Sequence, residues 1–215
     1  MDFPQTSVFL PPGMKTAKPS ASVGRPREFD PEEALDKALK IFWEKGYEGT
    51  SLSDLTESMG INRPSLYAAF GNKESLFRKA LDRYCEMAGK IIQSALDEPT
   101  SRGVAEKFLN TTAECLSNPC SPRGCMAVQS ALACGAEADP VKQELISRRC
   151  ATETKIRERM ERAQVEGDLP ASACPTALAS FLATVTQGMS VKASAGATGE
   201  ELRAVAKVAL GAWPS

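Results

Sequence analysis

Two groups of residues in this 215-residue chain have types and spacings that could do chemistry. The first lies between Asn62 and Lys73, a stretch with two basic side chains and no acid. Arg63 can pair bidentately with guanine, and Ser65, Tyr67 and Lys73 suit phosphate oxygens. Asn62, Arg63 and Pro64 come first, where a helix entering a groove would meet base edges, and Ala68 and Ala69 leave room for close approach. The second group is a run of thiols. Cys115, Cys120 and Cys125 follow a C-x4-C-x4-C spacing, with Arg123 between the last two in a loop ahead of a helix. A positive neighbour and a helix N-terminus both make a thiol more acidic and more nucleophilic. Cys115, Cys120, Arg123 and Cys125 are therefore candidates for sensing an oxidant or electrophile. The plainer alternative is that free cysteines fill a core. The spacing lacks the C-x2-C knuckle of zinc sites, so no metal is expected.

Other chemistries fall away quickly. The chain has no His, which removes Ser-His and Cys-His nucleophile pairs. It has neither a P-loop nor a G-x-G-x-x-G stretch, and no pair of carboxylates in a catalytic setting. The expectation is a protein with no catalytic residues and no cofactor, not an enzyme. Lys+Arg 26 against Asp+Glu 27 leaves a net charge of -1, so any nucleic-acid surface must be local. No apolar run reaches the ~18–20 residues of a membrane span, and the N-terminus lacks a basic signal region. Seven cysteines, an odd number without the density of a disulfide scaffold, suit reduced thiols in a cytoplasmic protein.

The elements that must position these groups read as helices throughout. Residues 1–24 are rich in Pro, Ser, Thr and Lys and predict a flexible arm. Asp30-Pro31-Glu32-Glu33 is a helix start, and Leu35, Ala38, Leu39, Phe42 and Trp43 form one apolar stripe, with Gly46 as the expected stop. Short helices follow from Thr50-Ser51 to Gly60 and from Asn62 to Gly71, and Asn72 caps a longer one. Beyond Pro99, helices are expected near 100–117, 124–135, 138–166, 175–193 and 199–212. Val, Ile and aromatic residues never alternate with period two over a useful length. The fold class is all-α. An N-terminal three-helix helix-turn-helix domain is placed at 25–75 and a helical effector-binding and dimerisation domain at 76–215.

From about Arg25 to Tyr84 the sequence resembles the DNA-binding domain of the TetR family of transcriptional regulators. The landmarks come in order: Gly46-Tyr47, Thr50, Leu55 to Gly60, Leu66-Tyr67, Phe70, Lys73-Glu74 and Leu76. The resemblance implies a cytoplasmic homodimer that binds a near-palindromic operator on double-stranded DNA. It implies repression of transcription, with release when an effector enters the second domain. Carried over by position, Thr50, Arg63, Ser65, Tyr67 and Lys73 are DNA contacts. Gly24-Arg25-Pro26-Arg27 resembles the basic arm some members lay against DNA, giving roles to Arg25 and Arg27. Ala68 and Ala69 stand where many members carry larger residues, which puts more base reading on Asn62 and Arg63.

The second domain is less specific. Two late helices carry apolar faces, Phe181, Leu182, Val185 and Met189 on one, Leu202, Val205, Ala206, Ala209 and Leu210 on the other. The resemblance implies a dimer interface there; monomer core is the alternative. After Tyr84 the aromatic residues are Phe108, Phe181 and Trp213, a poor stock for an aromatic cage. The effector is either a small neutral or acidic organic molecule in an apolar pocket or an agent that modifies a thiol.

Overall fold

A computed structural model describes residues 29–132 and 138–214. Among these, the regular elements are nine helices: α1 Pro31–Gly49, α2 Leu52–Met59, α3 Arg63–Phe70, α4 Lys73–Leu96, α5 Ser101–Leu116, α6 Met126–Leu132, α7 Asp139–Val165, α8 Pro175–Ser194 and α9 Gly199–Gly211. The arm at 1–24, Arg25 and Arg27 lie outside the described residues.

Local chemistry sets the boundaries. Asp30 caps α1 by accepting the Glu32 N–H at 2.8 Å, with Pro31 in the first turn. Gly46 breaks the helical run where the sequence suggests a stop, but as a kink inside α1. It takes φ +71°, and one more turn follows to Gly49. A reciprocal capping box opens α2: the Asp54 N–H donates to Ser51 Oγ at 3.0 Å and the Ser51 N–H to Asp54 Oδ2 at 2.8 Å. Asn62 and Asn72 cap α3 and α4, accepting from Ser65 and Ser75 N–H at 2.9 and 2.8 Å.

Two apolar clusters hold the helices. The first joins α1 to α4 through Phe42, Leu55, Leu66, Leu76 and Phe77, with Phe42 edge-on to Phe77 at 5.1 Å. It also takes in Met126 of α6 and Val141 and Leu145 of α7. This core therefore continues past residue 75 instead of closing there. The second joins α5, the later part of α7, α8 and α9 through Leu109, Met160, Leu182 and Leu202. Two helices, α4 and α7, contribute to both clusters, and ion pairs pin α4 on two sides. Arg83 meets Glu32 and Asp36 of α1, each at 2.6 Å. Arg78 meets Glu144 of α7 at 3.1 Å, and Arg148 of α7 meets Asp82 at 2.5 Å.

The late helices need a correction. Leu182, Met189, Leu202, Ala206 and Ala209 are buried in the chain's own core, so the apolar stripe read from sequence is mostly internal. What faces outward is a different strip: Thr184, Gly188 and Val191 on α8, and Ala204 and Val208 on α9. Val191 and Val208 are 46% and 77% exposed. Among the described residues no helix is long and apolar enough to cross a membrane.

Candidate nucleic-acid interface and adjoining cavity

The α2–α3 pair is fixed from within by Leu55, Met59, Leu66 and Phe70, all buried. That leaves Asn62, Arg63, Pro64, Tyr67 and Ala68 exposed on the outer side, with Ser65 and Ala69 half-buried. The Arg63 guanidinium donates to Ser53 Oγ at 3.1 Å, so a serine on α2 aims it. Ser53 is a site residue that sequence reasoning missed, because the contact spans ten positions with no local signal. The carboxamide oxygen of Asn62 is committed to capping α3, which leaves its Nδ2 donor for a base or phosphate.

Thr50 requires a correction. It is wholly buried, and its hydroxyl donates to the Gly46 carbonyl at 2.6 Å, so its side chain does not reach DNA. Its place is to close the kink ahead of α2. Lys73 is half-buried, with Nζ 4.6 Å from the centre of the Tyr47 ring. Burial pulls its pKa below the usual lysine value. The charges of Glu48 and Asp54 act against that fall. Asp54 pairs with Lys45 at 2.6 Å, and that bond together with the Ser51 N–H and hydroxyl holds its carboxyl well below the usual carboxylate range.

A cavity of about 600 Å³ lies behind this unit, bounded by α4, α5, α7, α8 and the start of α6. Trp43 of α1, Tyr84 of α4 and Phe108 of α5 line it, so its aromatic wall draws on helices of both apolar clusters. Three thiols reach it, Cys85, Cys115 and Cys125. Burial pushes Cys85 and Cys115 up to about 11, which keeps both as thiols at neutral pH. Cys125 is half-buried at the N-terminus of α6, where its carbonyl accepts from Val128 and Gln129.

The group at the Cys125 sulfur is the Tyr84 hydroxyl, at 3.1 Å, and not Arg123. Burial, then the neighbouring Cys125, raises the Tyr84 phenol well above its ordinary value, so it stays protonated and donates. The exposed Arg123 side chain runs instead toward Gly196 in the α8–α9 turn. Cys120 is exposed on the preceding turn, its N–H bonded to Asn118 Oδ1, and is not part of the cavity lining. Among the described residues no cluster of three or more His, Cys, Asp or Glu is placed to hold a metal.

Comparisons with known proteins bear on the fold and the family. Residues 34–80 match the family described as bacterial regulatory proteins, tetR family. The chain is 36% identical over 195 residues to the HTH-type transcriptional repressor ComR of Escherichia coli K12, covering 90% of this chain and 93% of that protein. It is 33% identical over 203 residues to the repressor BdcR of the same organism, covering 91% and 95%. A cysteine mutant of the TetR family regulator CifR, solved with 26-bp double-strand operator DNA, superposes with a TM-score of 0.86 at 43% identity. That match covers 89% of this chain and all of the CifR chain.

Proposed function

The chain belongs to the TetR family and is a DNA-binding transcriptional regulator; from that footing we propose that it is a homodimeric repressor of a near-palindromic operator, released by occupation of the α4–α8 cavity or by modification of Cys125. The exposed face on α3, with Arg63 aimed by Ser53, carries the DNA half of this reading. Two subunits set their α3 helices in successive major grooves, about 34–36 Å apart. Tyr67 and Lys73 meet phosphate while Arg63 and the Asn62 amide meet base edges. The outward strip of α8 and α9, with Val191 and Val208, supplies the contact between subunits.

The cavity supports the release half. It touches α1 and α4, the two helices that carry the DNA-reading unit, so an occupant that fits better when α4 is tilted shifts the equilibrium away from the operator-bound state. Cys125 is the thiol best placed for covalent release, because it is the one bonded to Tyr84 at the junction of the two apolar clusters. Cys85 and Cys115 share the cavity but stay protonated, and the thiolate is the nucleophile.

The test is operator affinity of the full chain before and after N-ethylmaleimide at pH 7.5, in the native protein and in Cys125→Ser. The expected result is release of the native protein and retention by the serine variant. Equal release of both, or release of neither, would remove Cys125 from the mechanism.

A further inference from the structure

We propose that Trp43 is the positioning residue that carries a change in the cavity to the DNA-reading face, through its hold on one peptide unit, Gly124–Cys125. The direction of its effect rests on the reading above, that the cavity governs release. Trp43 belongs to α1 and to the core of the DNA-reading unit. Its indole N–H donates to the Gly124 carbonyl at 2.8 Å, a buried bond between residues 81 positions apart. The other end of the same peptide unit, the Cys125 N–H, donates to Ser190 Oγ of α8 at 2.7 Å. A single rigid peptide is thus gripped by α1 on one side and α8 on the other.

The surroundings leave that peptide little freedom. The Trp43 ring stands edge-on to Tyr84 at 4.8 Å, and the Tyr84 hydroxyl donates to the Cys125 sulfur. Gly124 has φ +84°, and a Cβ there would run into the Gln129 side chain and come within 3.2 Å of the Ser190 carbonyl. Trp43, Tyr84, Gly124, Cys125 and Ser190 all line the cavity. An occupant or adduct in this corner must displace Tyr84 or rotate the peptide, and a rotated peptide releases Trp43 and Ser190 together.

The continuation toward DNA is short. Three residues past Trp43 is the Gly46 kink, whose carbonyl holds the Thr50 hydroxyl. Ser51 then caps α2, and Ser53 on α2 aims Arg63. Within this proposal the grip, intact here, belongs to the DNA-competent arrangement.

Spatial continuity alone does not establish coupling, and a double-mutant cycle measures it. Trp43→Phe keeps the ring and removes the N–H; Ser190→Ala removes the acceptor at the other end. Operator affinity is measured for the native chain, each variant and the double variant, with melting temperatures alongside. Each single variant is expected to weaken operator binding about five-fold or more. The double variant should be no weaker than the worse single one, since both break the grip on one peptide. Operator affinity unchanged in both singles, or losses that multiply, would overturn the proposal. Lower melting with unchanged operator affinity would overturn it too, because a merely structural tryptophan behaves that way. N-ethylmaleimide treatment separates this proposal from the one it rests on. If the native chain is insensitive to the reagent, thiol release fails while the cycle still decides on Trp43. If the native chain is released, Trp43→Phe should lose a several-fold smaller factor on alkylation, and an equal factor would count against the grip.

Discussion

Arg63 and Lys73 open successive helices, α3 and α4, yet their settings assign them different work. Arg63 is exposed, held by one bond to Ser53, and keeps further N–H groups in its fork for a base. Lys73 lies half-buried against the Tyr47 ring and acts as a point charge. Arg63→Ala should therefore cost about 1–3 kcal/mol per half-site and relax sequence preference at one position. Lys73→Ala should weaken specific and random duplexes alike and flatten the dependence on salt. Titrating both variants against both duplexes at two salt concentrations checks this, and equal behaviour of the two would contradict base reading by Arg63. Residue types at the candidate site were legible in the sequence, but directions were not. Thr50 turns inward because Gly46 leaves a carbonyl for its hydroxyl. Arg123 turns away from Cys125, and Tyr84, forty-one positions distant, takes its place. A contact of that separation leaves no trace in local spacing.

At the level of elements, the helix starts were the most legible feature, because a cap is a bond between near neighbours. Asp30, Ser51, Asn62 and Asn72 all cap where their sequence contexts suggest. Asn62 is the one cap that lies on the DNA face, and substitution can separate its two roles. Asn62→Ser keeps a side-chain oxygen for the Ser65 N–H and should leave stability to urea within about 0.5 kcal/mol, since the two residue types cap comparably. It removes the Nδ2 donor, so operator affinity should fall while melting holds. Loss of stability without loss of affinity would confine Asn62 to capping. Element allegiance was harder to read. A helix packed on two sides carries two apolar faces, so the α8 and α9 stripes fit a dimer interface or a core equally well in sequence, and Leu182 and Leu202 point inward. In the same way α6 packs into the N-terminal core through Met126, although it lies more than fifty residues beyond α3.

On the scale of the whole molecule, the two apolar clusters meet through α4 and α7, and the core of the DNA-reading unit takes in residues of α6 and α7. The ion pairs of Arg78, Arg83 and Arg148 brace α4 against α1 and α7 without burying charge deeply. Exposed pairs of this kind are each worth about 0–1 kcal/mol and are weakened by salt. Pairs this weak would not hold α4 against the tilt that the proposed release requires. The cavity is lined by α1, α4 and α8 together. All of this depends on two copies of the chain reading one operator. The measurement that tests it most directly is selection of duplexes from a random pool by the purified full chain at physiological salt. Enrichment of an inverted repeat, with half-sites one helical turn apart and binding lost in Arg63→Ala, is the expected result. Enrichment of a single half-site bound by one chain, or no enrichment from folded and reduced protein, would contradict it.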